Sequence, residues 1–158
     1  MTKTNENGKV STKKERGTLY HPVGKNQKLG LRGENEACRY LQIEGYRIIE
    51  RNFRCKTGEI DVIALDQGSL VFVEVKTRRN RKFGPAAASV TKRKKLNMIK
   101  CIGYYLKCHP ELRRMNRRVD VLEVYLGRGW QEGSDGLGEL KLNLIKNISM
   151  EGAEYFAV

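Results

Sequence analysis

Residues 58–77 read GEIDVIALDQGSLVFVEVKT, and the fold turns on how they pair. Two β-branched, apolar runs, Glu59–Leu65 and Leu70–Thr77, flank Asp66-Gln67-Gly68-Ser69. A polar, Gly-containing separator between such runs marks a tight turn, which predicts an antiparallel hairpin. If Asp66 faces Ser69 across the turn, Asp61 lies directly opposite Glu74, and Glu59 opposite Lys76. Opposed residues share one face of the sheet with Cβ atoms about 5 Å apart. Glu74 and Lys76 then lie on that face, while Val71, Val73 and Val75 point the other way.

Opposed carboxylates in apolar strands repel each other, so a cation must offset them. In one reading Lys76 supplies the charge and the group simply closes the sheet. In the other, Asp61, Glu74 and a backbone carbonyl hold a divalent cation, with Lys76 beside a reacting phosphate. A small set of hard oxygen ligands, completed by water and substrate, suits Mg²⁺ (or Mn²⁺). Lys76 is expected to keep its proton between two carboxylates, which argues against its being a general base. Glu59 is expected to be its structural partner, with a third carboxylate at the metal as the alternative.

The flanking sequence is cationic. From Val75 through Pro110 there are eleven Lys or Arg residues and no Asp or Glu. Arg78, Arg79, Arg81 and Lys82 follow the hairpin directly, and Lys92, Arg93, Lys94 and Lys95 stand near the start of a helix expected over Ala86–Cys108. Cations at a helix N-terminus oppose the macrodipole, so helix stability does not account for them, whereas anion binding does. Arg78, Arg79, Lys92, Lys94 and Lys95 are therefore candidate nucleic-acid contacts. The chain carries 31 Lys and Arg against 18 Asp and Glu, a net charge of +13 that favours a polyanionic partner.

Farther out, Ala37, Tyr40 and Leu41 outline an amphipathic helix closed by Gly45. Tyr46–Phe53 reads as a strand. The expected Ala86–Cys108 helix has an apolar stripe of Val90, Leu96, Ile99, Ile102, Tyr105 and Leu106, and it stops at His109-Pro110. Arg118–Leu126 alternates as a fourth strand, Gly127–Gly138 reads as a variable loop, and Leu140–Ile148 as a fifth strand. This order predicts an α/β fold with a mixed central sheet flanked by helices. Residues 1–28 hold seven basic residues and little apolar periodicity, the pattern of a disordered basic arm before a domain over 29–158.

At 158 residues, 39% of them hydrophobic, the chain fits one domain with a sizeable core. No apolar run is long enough to cross a membrane and no secretory signal is visible, so a cytoplasmic protein with no membrane partner is expected. Cys38, Cys55, Cys101 and Cys108 have no CxxC spacing, and only His21 and His109 could join them. They read as reduced thiols, buried or half-buried, rather than a zinc site or a disulfide framework.

The stretches RGENEACRYLQIEGYRIIERNFR, GEIDVIA, LVFVEVKTRRNRKFGPAAASVTKRK and RVDVLEV together resemble the YraN-like bacterial proteins. The resemblance covers roughly residues 30–126. It implies a restriction-endonuclease-like αβββαβ core of the PD-(D/E)xK superfamily, shared with Holliday-junction resolvases. It also implies catalytic roles for Asp61, Glu74, Lys76 and Glu34, with Asp61, Glu74 and Glu34 toward the metal, Glu34 directly or through water. Lys94 matches a basic residue that faces substrate. The activity implied is Mg²⁺-dependent endonucleolytic hydrolysis of phosphodiester bonds, with branched DNA as a candidate substrate. Junction-cutting relatives act as dimers, which opens a homodimer here. The alternatives are a non-catalytic nucleic-acid-binding module in DNA processing and, behind it, a protein-interaction scaffold.

Overall fold

The structure, a computed structural model, describes residues 25–79, 91–127, 129 and 138–150. The sequence folds as α1 (Lys25–Ile43), β1 (Arg47–Cys55), β2 (Gly58–Asp66), β3 (Ser69–Arg78), α2 (Lys92–Cys108), a 3₁₀ turn (Pro110–Leu112), β4 (Asn116–Leu126) and β5 (Leu140–Ile145). The strands form one sheet in the order β1-β2-β3-β4-β5. β3 and β4 are parallel, and every other neighbouring pair is antiparallel. The αβββαβ order and the mixed, helix-flanked sheet are those expected.

β3 is the middle strand, and a helix covers each of its faces. That explains its near-continuous apolar run, as both sets of side chains must be buried. Leu70 and Phe72 pack with Met98, Ile102 and Tyr105 of α2. Val71 and Val73 pack with Ala37 and Leu41 of α1. α1 lies tight against the sheet at Gly33, where an added Cβ would lie 1.8 Å from Thr77 Oγ1 and 2.7 Å from Thr77 Cβ. Only glycine fits at that crossing, and it brings the following Glu34 up to the C-terminal end of β3.

The hairpin closes through a two-residue turn in which Gln67 and Gly68 both have positive φ, 48° and 78°. That is the turn whose twist matches the strands it joins. It sets Asp66 opposite Ser69 and Val62 opposite Val73, the expected register.

Several boundaries differ from the sequence reading. α1 starts at Lys25, so residues 25–28 belong to the helix and not to the arm, whose residues 1–24 lie outside those described. α2 starts at Lys92 and not Ala86, because the Thr91 hydroxyl accepts a hydrogen bond from the Lys94 N–H at 3.2 Å and caps the helix there. Val90, Arg81, Lys82 and most of the Gly-rich loop also lie outside the described residues. β5 ends at Ile145, where the chain turns. Leu96, expected in the buried stripe, is 47% exposed, and Cys108 is exposed, whereas Cys38 and Cys101 are buried. Among the described residues no helix is long and apolar enough to cross a membrane.

Candidate active site

The paired ladder of the hairpin stops at Val62 and Val73. Beyond it the strands part, because the N–H of Val75 donates at 2.7 Å to Asp61 Oδ2. The alternation of β2 breaks at the same residue. Ile60 and Ile63 pack on the α2 side, while Val62 and Ala64 pack on the α1 side. Asp61 thus sits in the seam between β2 and β3, where charges from both layers reach it.

Glu74 lies across this seam and is 2% exposed. Its Oε1 accepts a hydrogen bond from Lys76 Nζ at 2.6 Å, and Lys94 Nζ of α2 lies 3.3 Å away. Its Oε2 is buried with no hydrogen-bond partner. A buried carboxylate oxygen without a donor is costly, and folding of an apolar core alone gives no reason to keep one.

The electrostatics agree. Burial, then the charge of Glu74, pushes Asp61 from its ordinary value up to about 7, against the Val75 hydrogen bond and Lys94, while Glu34 adds a smaller upward push. Burial tends to strip the proton from Lys94, but Glu74 and Asp61 outweigh it and hold the ammonium above its usual range. Lys94 is thus part of the carboxylate cluster as well as of the basic stretch.

Of the predicted site residues, Asp61, Glu74, Lys76 and Lys94 come together. Glu34 approaches closely enough to act on Asp61 electrostatically, but the expected metal set of Asp61, Glu74 and Glu34 does not converge. Among the described residues no three His, Cys, Asp or Glu side chains gather as a ligand set. Glu59 is not opposite Lys76. The parting of the strands removes that pairing, and Glu59 faces Arg54 of β1, 3.5 Å away. Lys92 and Arg79 are exposed and Arg78 is half-buried, whereas Lys95 Nζ donates to the Ser149 carbonyl at 2.9 Å and ties down the chain after β5.

A second ionic group escaped the sequence reading. Arg118 Nε donates to both Asp120 oxygens at 3.1 Å, and its Nη2 donates to Tyr46 Oη at 3.0 Å and to Asp66 Oδ2 at 2.5 Å. Asp120 also accepts from the Asn147 N–H at 2.8 Å, and Lys146 lies over the Tyr46 ring. The signal was available: Asp120 interrupts an apolar strand just as Glu74 does.

The sequence profile of uncharacterised protein family UPF0102 matches residues 33–124. The chain belongs to this family. UPF0102 proteins of Desulforamulus reducens and Herminiimonas arsenicoxydans are 45% and 48% identical over 107 and 109 residues, each alignment covering 67% of this chain and 85% or 88% of the relative. A third, from Caldicellulosiruptor saccharolyticus, is 39% identical over 121 residues, 77% of this chain and 96% of that protein. Glu34, Asp61, Glu74, Lys76 and Lys94 all fall within the UPF0102 match. Among solved structures, SfsA of Pyrococcus furiosus in complex with Ca²⁺ is 16% identical, covering 73% of this chain and 63% of that one, with a TM-score of 0.36. A likeness that distant carries no inference.

Proposed function

We propose that this UPF0102 protein is a metal-dependent nuclease that hydrolyses phosphodiester bonds in nucleic acid, DNA above all. The observation that carries the reading is the Asp61–Glu74 seam, with one buried carboxylate oxygen unpartnered and one carboxyl driven up to about 7 by burial and its neighbour's charge. Both features are what a bound divalent cation would relieve, so the residues fit such an ion. Asp61 and Glu74 would hold it, and Glu34 would act on it from a distance, through water. A bound Mg²⁺ or Mn²⁺ supplies an acidified water and charge neutralisation at the scissile phosphate. Lys76 and Lys94 hold their ammonium groups against Glu74 Oε1, at the mouth of the seam, where they can offset negative charge developing on a phosphate. Their ion pairs with Glu74 argue against either acting as a general base.

The non-catalytic reading uses the same ion pairs to close the sheet, but it leaves Glu74 Oε2 unexplained. The test is to incubate branched, single-stranded and duplex DNA and RNA with the full chain in Mg²⁺, Mn²⁺ or EDTA. Cation-dependent cutting is expected, reduced at least about 100-fold in Asp61→Ala, a loss of the size seen when one charge-stabilising group is removed. Cutting that survives both EDTA and Asp61→Ala would contradict the assignment.

A further inference from the structure

A groove of about 1110 Å³ runs beside α2, between that helix and the β1–β2 turn. Five cations line it: Lys100 and Lys107 on α2, Arg54 and Lys56 at the turn, and Arg113 beyond the helix. Of these, Arg54 faces Glu59 at 3.5 Å and Arg113 Nε donates to the Leu106 carbonyl, while Lys56, Lys100 and Lys107 are exposed. None of the lining residues is acidic.

The apolar part of the groove is as unusual as its charge. Leu96 and Tyr104, which line it, are 47% and 52% exposed. Tyr104 is backed by the Phe53 ring, stacked at 6.3 Å between centroids, and Phe53 is in turn held edge-on by Tyr105 at 5.0 Å. The open aromatic is thus a supported surface and not a loose side chain. Residues 92, 96, 100, 104 and 107 are spaced four, four, four and three apart, so Lys92, Leu96, Lys100, Tyr104 and Lys107 form one stripe along the helix. At 1.5 Å per residue the stripe is roughly 22 Å long, and it starts two residues from Lys94 of the carboxylate cluster.

We infer that this groove binds a single-stranded nucleic acid as it leaves the carboxylate seam, with an unstacked base on Tyr104 and phosphates on Lys100, Lys107 and Lys56. The inference rests on the nuclease reading for its direction but not for its chemistry. An aromatic platform bracketed by cations suits single strands, because every base has a face to stack and a strand has phosphates on both sides of it. A duplex keeps its bases stacked inside and has nothing to offer Tyr104.

The test is anisotropy of a fluorescein-labelled oligothymidylate with the full chain in EDTA, so that binding is read without cutting. Tyr104→Ala should weaken binding about tenfold with the salt dependence unchanged, and Tyr104→Phe should restore it. Lys100→Glu with Lys107→Glu should instead lower the slope of log Kd against log salt. Arg47→Glu, on β1 outside the groove, controls for net charge. The groove assignment is overturned if Tyr104→Ala binds like the wild type, or if duplex or an acidic peptide competes as well as the single strand. The two readings separate cleanly. If the wild type binds but never cuts, the groove stands and the nuclease falls. If Tyr104→Ala binds and cuts normally, the reverse holds.

A different observation supports a second inference. The sulfurs of Cys55 and Cys101 lie 2.9 Å apart, within about 1 Å of a disulfide bond length. Cys55 lines the groove and Cys101 is buried behind it. We propose that the two form a thiol–disulfide exchange site for a small disulfide of the glutathione type, with Cys55 attacking and Cys101 resolving. Cys55 gives up its proton and its Sγ bonds one sulfur of the small disulfide, whose S–S bond breaks and releases one thiol that takes the proton. Cys101 then loses its proton and bonds Cys55 Sγ, and the mixed disulfide breaks to release the second thiol. Two protein thiols are oxidised and one small disulfide is reduced. The roles agree with the thiols' environments. Burial raises Cys55, but its hydrogen bonds with Cys101 and Thr57 outweigh that and lower the thiol, whereas burial and Cys55 drive Cys101 up to about 12.

Mass spectrometry of the full chain after oxidised glutathione should find a 55–101 cross-linked peptide that dithiothreitol reverses. Cys101→Ser should trap a glutathione adduct on Cys55. Modification confined to exposed Cys108, or a Cys101→Ser protein with no adduct on Cys55, would overturn it.

Discussion

Two ionic clusters of carboxylates and cations occupy opposite ends and opposite faces of the same sheet. In the Asp66–Arg118–Asp120 cluster every carboxylate has donors: one guanidinium serves both acids, the Asn147 N–H completes Asp120, and Tyr46 packs against the cations. Burial raises Asp66, but Arg118 and Lys146 outweigh it and hold it below the usual carboxylate range. In the Asp61–Glu74 cluster one oxygen has no donor and one carboxyl is driven up instead. A satisfied buried network is a structural device, and an unsatisfied one at a seam between strands is what supports the proposed cation site.

The largest expected effect breaks the structural cluster. Asp120 is fully buried, so Asp120→Ala leaves the Asn147 N–H without its acceptor and Arg118, 17% exposed, with Asp66 as its remaining carboxylate partner. It should cost about 2–3 kcal/mol, read as a lower midpoint in urea unfolding. An Asp120→Ala chain as stable as the wild type would mean that this network contributes nothing. The matching change at the seam, Glu74→Gln, should cost less than about 1 kcal/mol, or stabilise, while abolishing cation-dependent cutting.

Next is Gly33→Ala, which forces a methyl group into Thr77 and should cost about 1–3 kcal/mol. Its sharper signature is a fall in cutting rate at temperatures where the chain is fully folded, because α1 carries Glu34. A Gly33→Ala protein that melts normally would show that α1 approaches β3 less closely than described.

The last effect is a slope against pH. Asp61 titrates near 7 when folded and near its ordinary value of 3.8 when unfolded. The folded state therefore binds the extra proton, and the stability that proton contributes is fully present below about 4 and lost as pH rises through about 7. One proton limits the slope to about 1.4 kcal/mol per pH unit. Asp66 acts with the opposite sign, since its depressed carboxyl contributes stability that is lost on acidification. Comparing wild type with Asp61→Asn in urea melts between pH 4 and 8 isolates the first. Identical pH profiles would place Asp61 in an ordinary environment.

Much of this was legible in the residues. The turn Gln67-Gly68 set the hairpin register, and the resemblance placed Asp61, Glu74, Lys76 and Lys94 around one point. The seam was not legible. A strand read residue by residue carries its ladder to the end, and nothing local says that the Asp61 carboxylate will take the Val75 N–H and part the strands. Glu59 was assigned to Lys76 for that reason. The start of α2 at Lys92 was not legible because Thr91 lacks the acidic partner three residues on that would have marked it as a cap. Asp120 was passed over because its partners, Tyr46, Asp66 and Arg118, are far apart in sequence.

The central claim is that Asp61 and Glu74 form a divalent-cation site. Isothermal titration of Mn²⁺ into the full chain at pH 7.5, wild type against Asp61→Asn, tests it most directly. The account predicts saturable binding to the wild type and loss of that binding in the variant, with both proteins melting as cooperative folds. Equal heats from the two proteins, or none from either, would contradict it.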